Sequence, residues 1–390
     1  MARRPEVYIV GVAQSDVGEL WEESLRGLAA RVLREARADA GGLKPQAIFV
    51  GNMLAAPASH QANLGALVAE YAGLAGEAEG MTAEAGEASG GAALHLAYNA
   101  IRSGMVDVAV VVGVEKVTDV VGSGVERVMA LGLDSDYEMS EGLTPVAQAA
   151  LLTQRYLYEN QFPREALAGF PKIAHANAVE NPHAMYRKAI HTDAYLRSGM
   201  VAAPLNLFDV APAADGAAAV ILARGEAIPK GLGHALVHLA STSLVTDRLA
   251  VHDREDPLFF TAAAVSIQQA LLRAGLSMPM MDFFEYSDNT TLHAVLSLEA
   301  AGLAPRGQGW KLGTDGSLTI GGTLPVATMG GHKARGFPLG ASGVYQAVEA
   351  SLQLRQEAGG CQVSQPRAGI IQSLAGTAST AVTHVLRRVD

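Results

Sequence analysis

Apolar residues recur along this chain with two alternating periods. EVYIVGVA (6–13), AIFVGNML (47–54) and VDVAVVVGVE (106–115) are short apolar runs bounded by polar or turn residues, and each predicts a buried strand. Between the first two, SLRGLAARVLREARADAGG (24–42) carries its apolar positions at helical spacing and stops at Gly41-Gly42. GAALHLAYNAIRSG predicts a second helix, closed in the same way by Gly104. Strand, helix and strand in alternation predict an α/β protein whose parallel sheet is covered on both faces. Residues 117–205 break the rhythm: DSDYEMSEGLTP, LYENQFPREALAGF and HANAVENPHAMYRKAIHTD are polar, aromatic and irregular, and predict an inserted loop domain. LFDVAPAADGAAAVILA (207–223) returns to a buried strand after a turn at Asp215-Gly216.

The plan then repeats. AAVSIQQALLRAGLSMPMMDFFEYSD (263–288) echoes LAARVLREARADAGGLKPQAIFVGNM (28–53): a helix ending in Ala-Gly, a proline-bearing loop and an apolar strand. GASGVYQAVEASLQL (340–354) echoes EASGGAALHLAYNAI (87–101), a turn of small residues opening a helix. The echoes keep their order, which predicts an internal duplication.

Composition narrows the class. A chain of 390 residues, 49% apolar with 42 glycines and 5% aromatics, suits two or three globular domains. A net charge of −10 without a basic run argues against a nucleic-acid partner. Cys361 is the only cysteine, which rules out an intrachain disulfide and a cysteine-based metal cluster. The basic N-terminus MARRPEVYIVGVAQSD has too short an apolar core for a secretory signal, and no apolar run reaches the length of a membrane span, so a cytoplasmic location is expected.

MTAEAGEASGGAALHLA (81–97) has the form of a nucleophile turn at the mouth of a helix, with a carboxylate, Glu87, where a reactive group would stand. EASGGAALHLA, PLNLFDVAPAADGAAAVILA, DFFEYSDNTTLHAVLSLEAAGLA and IGGTLPVATMGGHKARGFPLGASG together resemble the thiolase superfamily, and within it the sterol-carrier or lipid-transfer type. The resemblance spans nearly the whole chain. It implies a five-layered αβαβα fold of two duplicated halves, 1–230 and 231–390, with the loop domain at about 117–205 inserted in the first. It also implies a coenzyme A thioester as substrate or ligand, with no other cofactor and no metal.

In relatives a cysteine takes the acyl group, a histidine in a Gly-His-Pro turn activates it, and a second histidine and an asparagine help form oxyanion holes. This chain departs at each place. Glu87 stands for the cysteine, Phe337 for the Gly-His-Pro histidine, Ser287 for the histidine of a Glu-x-His-Asp motif, and Ala327 for the asparagine; Asp288 is kept. QSLAGTA (372–378) lies where many relatives carry a late Cys-x-Gly, and Cys361 fits no motif. Thiolysis through sulfur is therefore expected to be absent.

Three roles are open to Glu87: a cap on its helix, a nucleophile forming a mixed anhydride, or a general base. It is expected to be ionised and to face the pocket. Ser287, His332 and Asp288 are the candidate catalytic partners of Glu87, and an open tunnel where Glu87, Ser287 and His332 converge would mark an enzyme. His332 is a candidate replacement for the lost base, against the alternative of a loop histidine near the surface, and Asp288 is the most structural of the three. Tyr286, one residue from Ser287, falls on the opposite face of its strand and is expected in the core. Arg187 and Lys188 are candidates for the adenosine phosphates of coenzyme A, against a plain solvated face. His175, His183 and His191 present no trusted ligand geometry.

Two functions remain open. One is acyltransfer or retro-aldol chemistry on an acyl-CoA, as in cysteine-less relatives that use tyrosines and work beside a small OB-fold, zinc-ribbon partner. The other is a non-catalytic subunit that binds acyl-CoA or a partner protein. A homodimer or dimer of dimers is implied by the resemblance, with HQANLGALVAEYAGL (60–74) suited to the interface.

Overall fold

The alternation of strands and helices starts at once in the computed structural model, which describes residues 5–122 and 124–389. Strand β1 (Val7–Gln14) leads to α1 (Leu25–Asp39), β2 (Ala47–Gly51), the short α2 (Ala55–Ser59), α3 (Leu64–Tyr71), β3 (Glu79–Ala83), α4 (Ser89–Arg102) and β4 (Val108–Glu115). The ends of α1 follow from its sequence. Ser24 accepts the Gly27 N–H at the start, and Gly41 and Gly42 take φ of +66° and +80° just past the end.

The segment between β4 and the next strand of the main sheet is more regular than its polar composition suggests. It holds α5 (Gly124–Met129), α6 (Pro145–Asn160), α7 (Gly169–Asn177), α8 (Thr192–Arg197) and a hairpin of β5 (Met200–Ala202) and β6 (Leu205–Asn206). The chain then re-enters the sheet as β7 (Gly216–Arg224) and continues through β8 (Leu236–Thr246), α9 (Thr261–Ala274), β9 (Phe283–Glu285), α10 (Thr291–Ala300), α11 (Ser342–Arg355), β10 (Ala368–Ala375) and β11 (Thr380–Val389). α9–β9 and α11 fall on the second copies of the two sequence echoes. No helix among the described residues is long and apolar enough to cross a membrane.

The strands run in the order β3-β2-β4-β7-β1-β8-β11-β10-β9. The expected parallel sheet is only partly present. β2 is parallel to β3 and β4, and β10 to β9, while β4–β7, β7–β1, β1–β8, β8–β11 and β11–β10 are antiparallel. The parallel neighbours β2, β3 and β4 are those joined by crossover helices, whereas β7 returns only after the loop segment and pairs from the opposite direction.

Two runs of strands meet at β1–β8, where only Tyr8–His238 and Ile9–Val237 are paired. α1 and α3 cover the first run and α9 covers the second, while α4 and α11 pack on each other and on strands of both runs. The layers are thus helix, sheet, helix, sheet, helix. Alternate residues of β4 serve two cores. Val108, Val110, Val112 and Val114 face the outer helices, and Ala109 and Val111 face the central pair. That double burial is why the strand reads as an unbroken apolar run.

The small residues shared by the two echoes have a steric cause. α4 and α11 cross near their starts, and a Cβ on Gly343 would lie 2.4 Å from the Gly91 nitrogen and 2.5 Å from Ser373 Oγ. All of α11 except Leu352 is buried, so the crossing cannot open without disturbing both sheets. Gly343→Val is expected to destabilise the protein by about 1–3 kcal/mol, read as a lower denaturant midpoint.

Asp215 does more than mark a turn. Gly216 already begins β7, and the fully buried Asp215 carboxylate accepts from Lys116 Nζ, the Val117 and Thr118 N–H groups, the Thr118 hydroxyl and the Leu20 N–H. It ties β1's exit and the segment after β4 to the mouth of β7.

Candidate active site

Glu87 sits two residues ahead of α4, on a turn held by Ser89, whose hydroxyl accepts from the Ala85 N–H and donates to the Gly86 carbonyl. The N-cap position of α4 is Ala88, and no side chain caps it. The Glu87 carboxylate instead reaches across to the second strand run, where Oε2 accepts the Gly376 N–H at 2.8 Å. Burial raises the Glu87 pKa, while the Gly376 N–H and Glu87's own backbone oppose the shift and nearby Glu84 adds to it. Burial wins, so the carboxyl is held above its ordinary range.

Gly376 is fixed from its other side as well. His293 Nε2 donates to the Gly376 carbonyl at 3.0 Å, and His293 Nδ1 lies 2.8 Å from the Thr290 hydroxyl. Burial lowers the His293 pKa to about 4, so this imidazole is neutral and both its nitrogens are engaged.

Glu87, His293, Gly376 and Phe337 line a narrow cleft of about 40 Å³ together with Asn289 and Gln148. That is room for a few waters or a small reacting group, not for an acyl chain. The cleft shares Glu126, Val210, Ala211 and Ala213 with a mainly apolar groove of about 680 Å³. Tyr186, Lys188, His191, Leu207, Phe208 and Lys333 line that groove. Lys333 Nζ donates to the Asp209 carbonyl, and burial lowers its pKa to about 8 against the pull of Asp288 and Asp209.

The residues singled out in the sequence divide. Glu87 and Phe337 are in the cleft. His332 lies behind Phe337, stacked on its ring at 4.7 Å between centroids and buried. Its Nδ1 is 2.9 Å from Asn289 Oδ1, and its Nε2 is buried without a partner. Asp288 accepts the His332 N–H and, like Ser287, is buried outside the cleft wall. The Ser287 hydroxyl donates to the Gln372 carbonyl and accepts the Leu374 N–H, which fastens the end of β9 to β10. Ala327, at φ +47°, receives Asn177 on its carbonyl and is buried outside the cleft. Tyr286 is in the core, as its alternation predicts.

Lys188 lines the groove, whereas Arg187 turns its guanidinium to the Val179 carbonyl. Cys361 is buried and bonded to the Asn177 carbonyl, and its thiol is pushed up to about 11, chiefly by burial. Asn289, His293 and Lys333 were not singled out in the sequence. All three stand inside or beside the quoted motifs, and Thr290-x-x-His293 at a helix start is the signal that could have marked the histidine.

Comparison with known proteins agrees with this architecture. Residues 7–226 match the thiolase N-terminal domain and residues 243–388 the thiolase C-terminal domain-like family. The chain is 36% identical over 385 residues to an acetyl-CoA acetyltransferase of Methanothermobacter thermautotrophicus, covering 98% of this chain and 100% of that one. It is 31% identical over 225 residues to sterol carrier protein 2 of Rattus norvegicus, covering 56% of this chain and 41% of that protein. Among solved structures, the Ltp2-ChsH2(DUF35) aldolase superposes with a TM-score of 0.83 at 21% identity, covering 99% of this chain and 98% of that one. The family models, the full-length relative and the five-layered architecture agree: this chain belongs to the thiolase family.

Proposed function

We propose that this protein binds an acyl-CoA in the 680 Å³ groove and makes or breaks the carbon–carbon bond next to the thioester by acid–base chemistry at Glu87. The observation that carries the reading is a buried carboxyl of raised pKa, held by Gly376 from the opposite strand run, in a cleft that shares a wall with a large apolar groove. In the cleavage direction, the Glu87 carboxylate accepts the proton of the β-hydroxyl. The Cα–Cβ bond then breaks, leaving a carbonyl compound and the thioester enolate, and the Glu87 carboxylic acid returns the proton to Cα. Glu87 is regenerated, and no covalent acyl-enzyme is formed. Lys188 at the groove supports an anionic coenzyme A end there, which Arg187 does not reach. Incubation with a 3-hydroxyacyl-CoA, followed by mass spectrometry of the shortened acyl-CoA, tests the reading; absence of the shortened thioester would defeat it.

Thiolysis is expected to be undetectable with acetoacetyl-CoA and free coenzyme A. The one thiol is buried away from the cleft, both nitrogens of His293 are engaged, and His332 stands behind the Phe337 ring, where it cannot activate a thiol at position 87. Glu87→Cys alone should stay inactive in the same assay, because a thiol near its ordinary pKa of about 8.5 is mostly protonated. Turnover by either protein would contradict the account.

The narrowness of the cleft favours a second reading, a subunit that holds acyl-CoA without turning it over. Binding of a 3-hydroxyacyl-CoA without cleavage would select it. By its likeness to an aldolase whose description includes a DUF35 component, a small OB-fold, zinc-ribbon protein is the partner proposed for either reading. Homodimerisation is also proposed. β3 is an edge strand whose Glu79 to Thr82 are exposed beside α3, a surface suited to pairing with a second copy. A dimer mass by light scattering at micromolar concentration is expected, and a monomer would refute it.

A further inference from the structure

We infer that the side-chain amide of Asn289 is the oxyanion donor of this site, held in the donating orientation by His332. The inference rests on the acyl-CoA reading above. Its starting point is a pair of buried neutral groups that share one hydrogen bond. His332 Nδ1 and Asn289 Oδ1 are 2.9 Å apart, His332 is 2% exposed and Asn289 is 9% exposed. An imidazole and a carboxamide can share that bond in two ways. Either Nδ1–H donates to Oδ1, which leaves the amide NH₂ for the cleft, or the amide donates to a bare Nδ1, which leaves the carbonyl oxygen there.

Charges around the ring decide between them. Asp288 Oδ1 lies 3.9 Å from His332 Nδ1 and accepts the His332 backbone N–H. Burial raises the Asp288 pKa against Lys333, the His332 N–H and Arg335, and an acceptor oxygen at that distance favours an N–H over a bare lone pair at Nδ1. Burial, then Arg335, Lys333 and His293, keeps the ring neutral, so it carries a single proton. With that proton on Nδ1, the partnerless Nε2 carries a lone pair rather than a stranded N–H. Asn289 must then present Oδ1 to His332, and its two amide hydrogens remain for the cleft that Asn289 lines with Glu87.

The two cleft groups are complementary. Glu87 is the proton carrier. Asn289 is a neutral donor that can bond an enolate oxygen and cannot itself take the proton. Phe337 shields the bond between Asn289 and His332, since its ring covers the imidazole. The place of a lost family histidine is thereby filled by a pair: Asn289 touches the thioester carbonyl, and His332 acts through Asn289 as a positioning residue. A preset donor of this kind acts in a narrow, mainly apolar cleft, where it is worth more than in water.

The test is the carbonyl stretch of acetyl-CoA labelled with ¹³C at the thioester carbon, recorded as an isotope-edited infrared difference spectrum on the full-length protein. Calorimetry runs in parallel to measure acetyl-CoA binding. Wild type is expected to bind and to shift the stretch to lower frequency than in solution. Asn289→Asp, which keeps an oxygen for His332 and loses the amide hydrogens, is expected to bind with the shift abolished. His332→Leu should weaken the shift, and His332→Asn, whose amide N–H can take the place of Nδ1–H, should restore it. Binding by wild type and Asn289→Asp with the same carbonyl frequency would overturn the role of Asn289 and leave the groove reading standing. Failure of wild type to bind acetyl-CoA would overturn both.

Discussion

Glu87→Gln is expected to lower the rate of carbon–carbon cleavage in a 3-hydroxyacyl-CoA by roughly 100- to 10,000-fold, the usual worth of a positioned acid–base group. The amide keeps an oxygen for the Gly376 N–H, so the turn is held while proton transfer is lost. The same change is expected to raise the denaturant midpoint near neutral pH. The sign follows from linkage. The folded protein raises the Glu87 pKa, so the carboxyl's stability contribution is complete below its unfolded pKa and falls as pH rises through the folded value. Above that folded value the ionised carboxylate is a desolvation burden that a neutral amide removes. In wild type, activity should fall on the acid side at a higher pH than an ordinary carboxylate would impose, because the ionised form is the base. Steady-state rates across pH, with urea titrations of both proteins, read all three effects. A faster variant, or one less stable at neutral pH, would count against Glu87 as a buried base.

Asp215→Ala is expected to cost about 3–5 kcal/mol, the usual penalty for removing one partner of a buried ion pair. Lys116 would lose its buried partner and keep only Asp119, which is half exposed, while the N–H groups of Leu20, Val117 and Thr118 would lose their acceptor. Burial pushes the Asp215 pKa up, but the Thr118 hydroxyl, the Lys116 ammonium and the two backbone N–H groups outweigh it and hold the carboxyl below its usual range. Stability from this group is therefore present above the unfolded pKa of about 3.9 and lost only as pH falls through the lower folded value. Guanidinium titrations at pH 7 and pH 3.5 check both points: the variant's deficit should be large at the first and smaller at the second.

What could be read in the chain, and what could not, divides along physical lines. Buried strands and their helices were legible because burial on both faces writes a continuous apolar run, as in Val108–Val114. The duplication was legible because the α4–α11 crossing forces small residues at the same two places. Strand direction was not legible, since β7 pairs antiparallel to β4 only after an excursion whose length says nothing of its return. The helices of that excursion were hidden by polar surface positions. Glu87 and Phe337 stood out because they replace residues that a motif leads one to expect. Asn289, His293 and Gly376 did not, because their roles depend on contacts across more than 40 residues of sequence, such as His332 to Asn289 and His293 to Gly376. Asp215 looked like a turn residue, because Asp-Gly is one, and its five donors come from segments far away in sequence.

Acetyl-CoA in deuterated water tests the central claim most directly, because reversible enolate formation at Glu87 exchanges the α-hydrogens whether or not a second substrate is present. Mass spectrometry of the recovered acetyl-CoA reads the exchange. The account predicts enzyme-dependent deuterium incorporation by the wild-type protein that Glu87→Gln abolishes. No incorporation by wild type, or equal incorporation by Glu87→Gln, would contradict it.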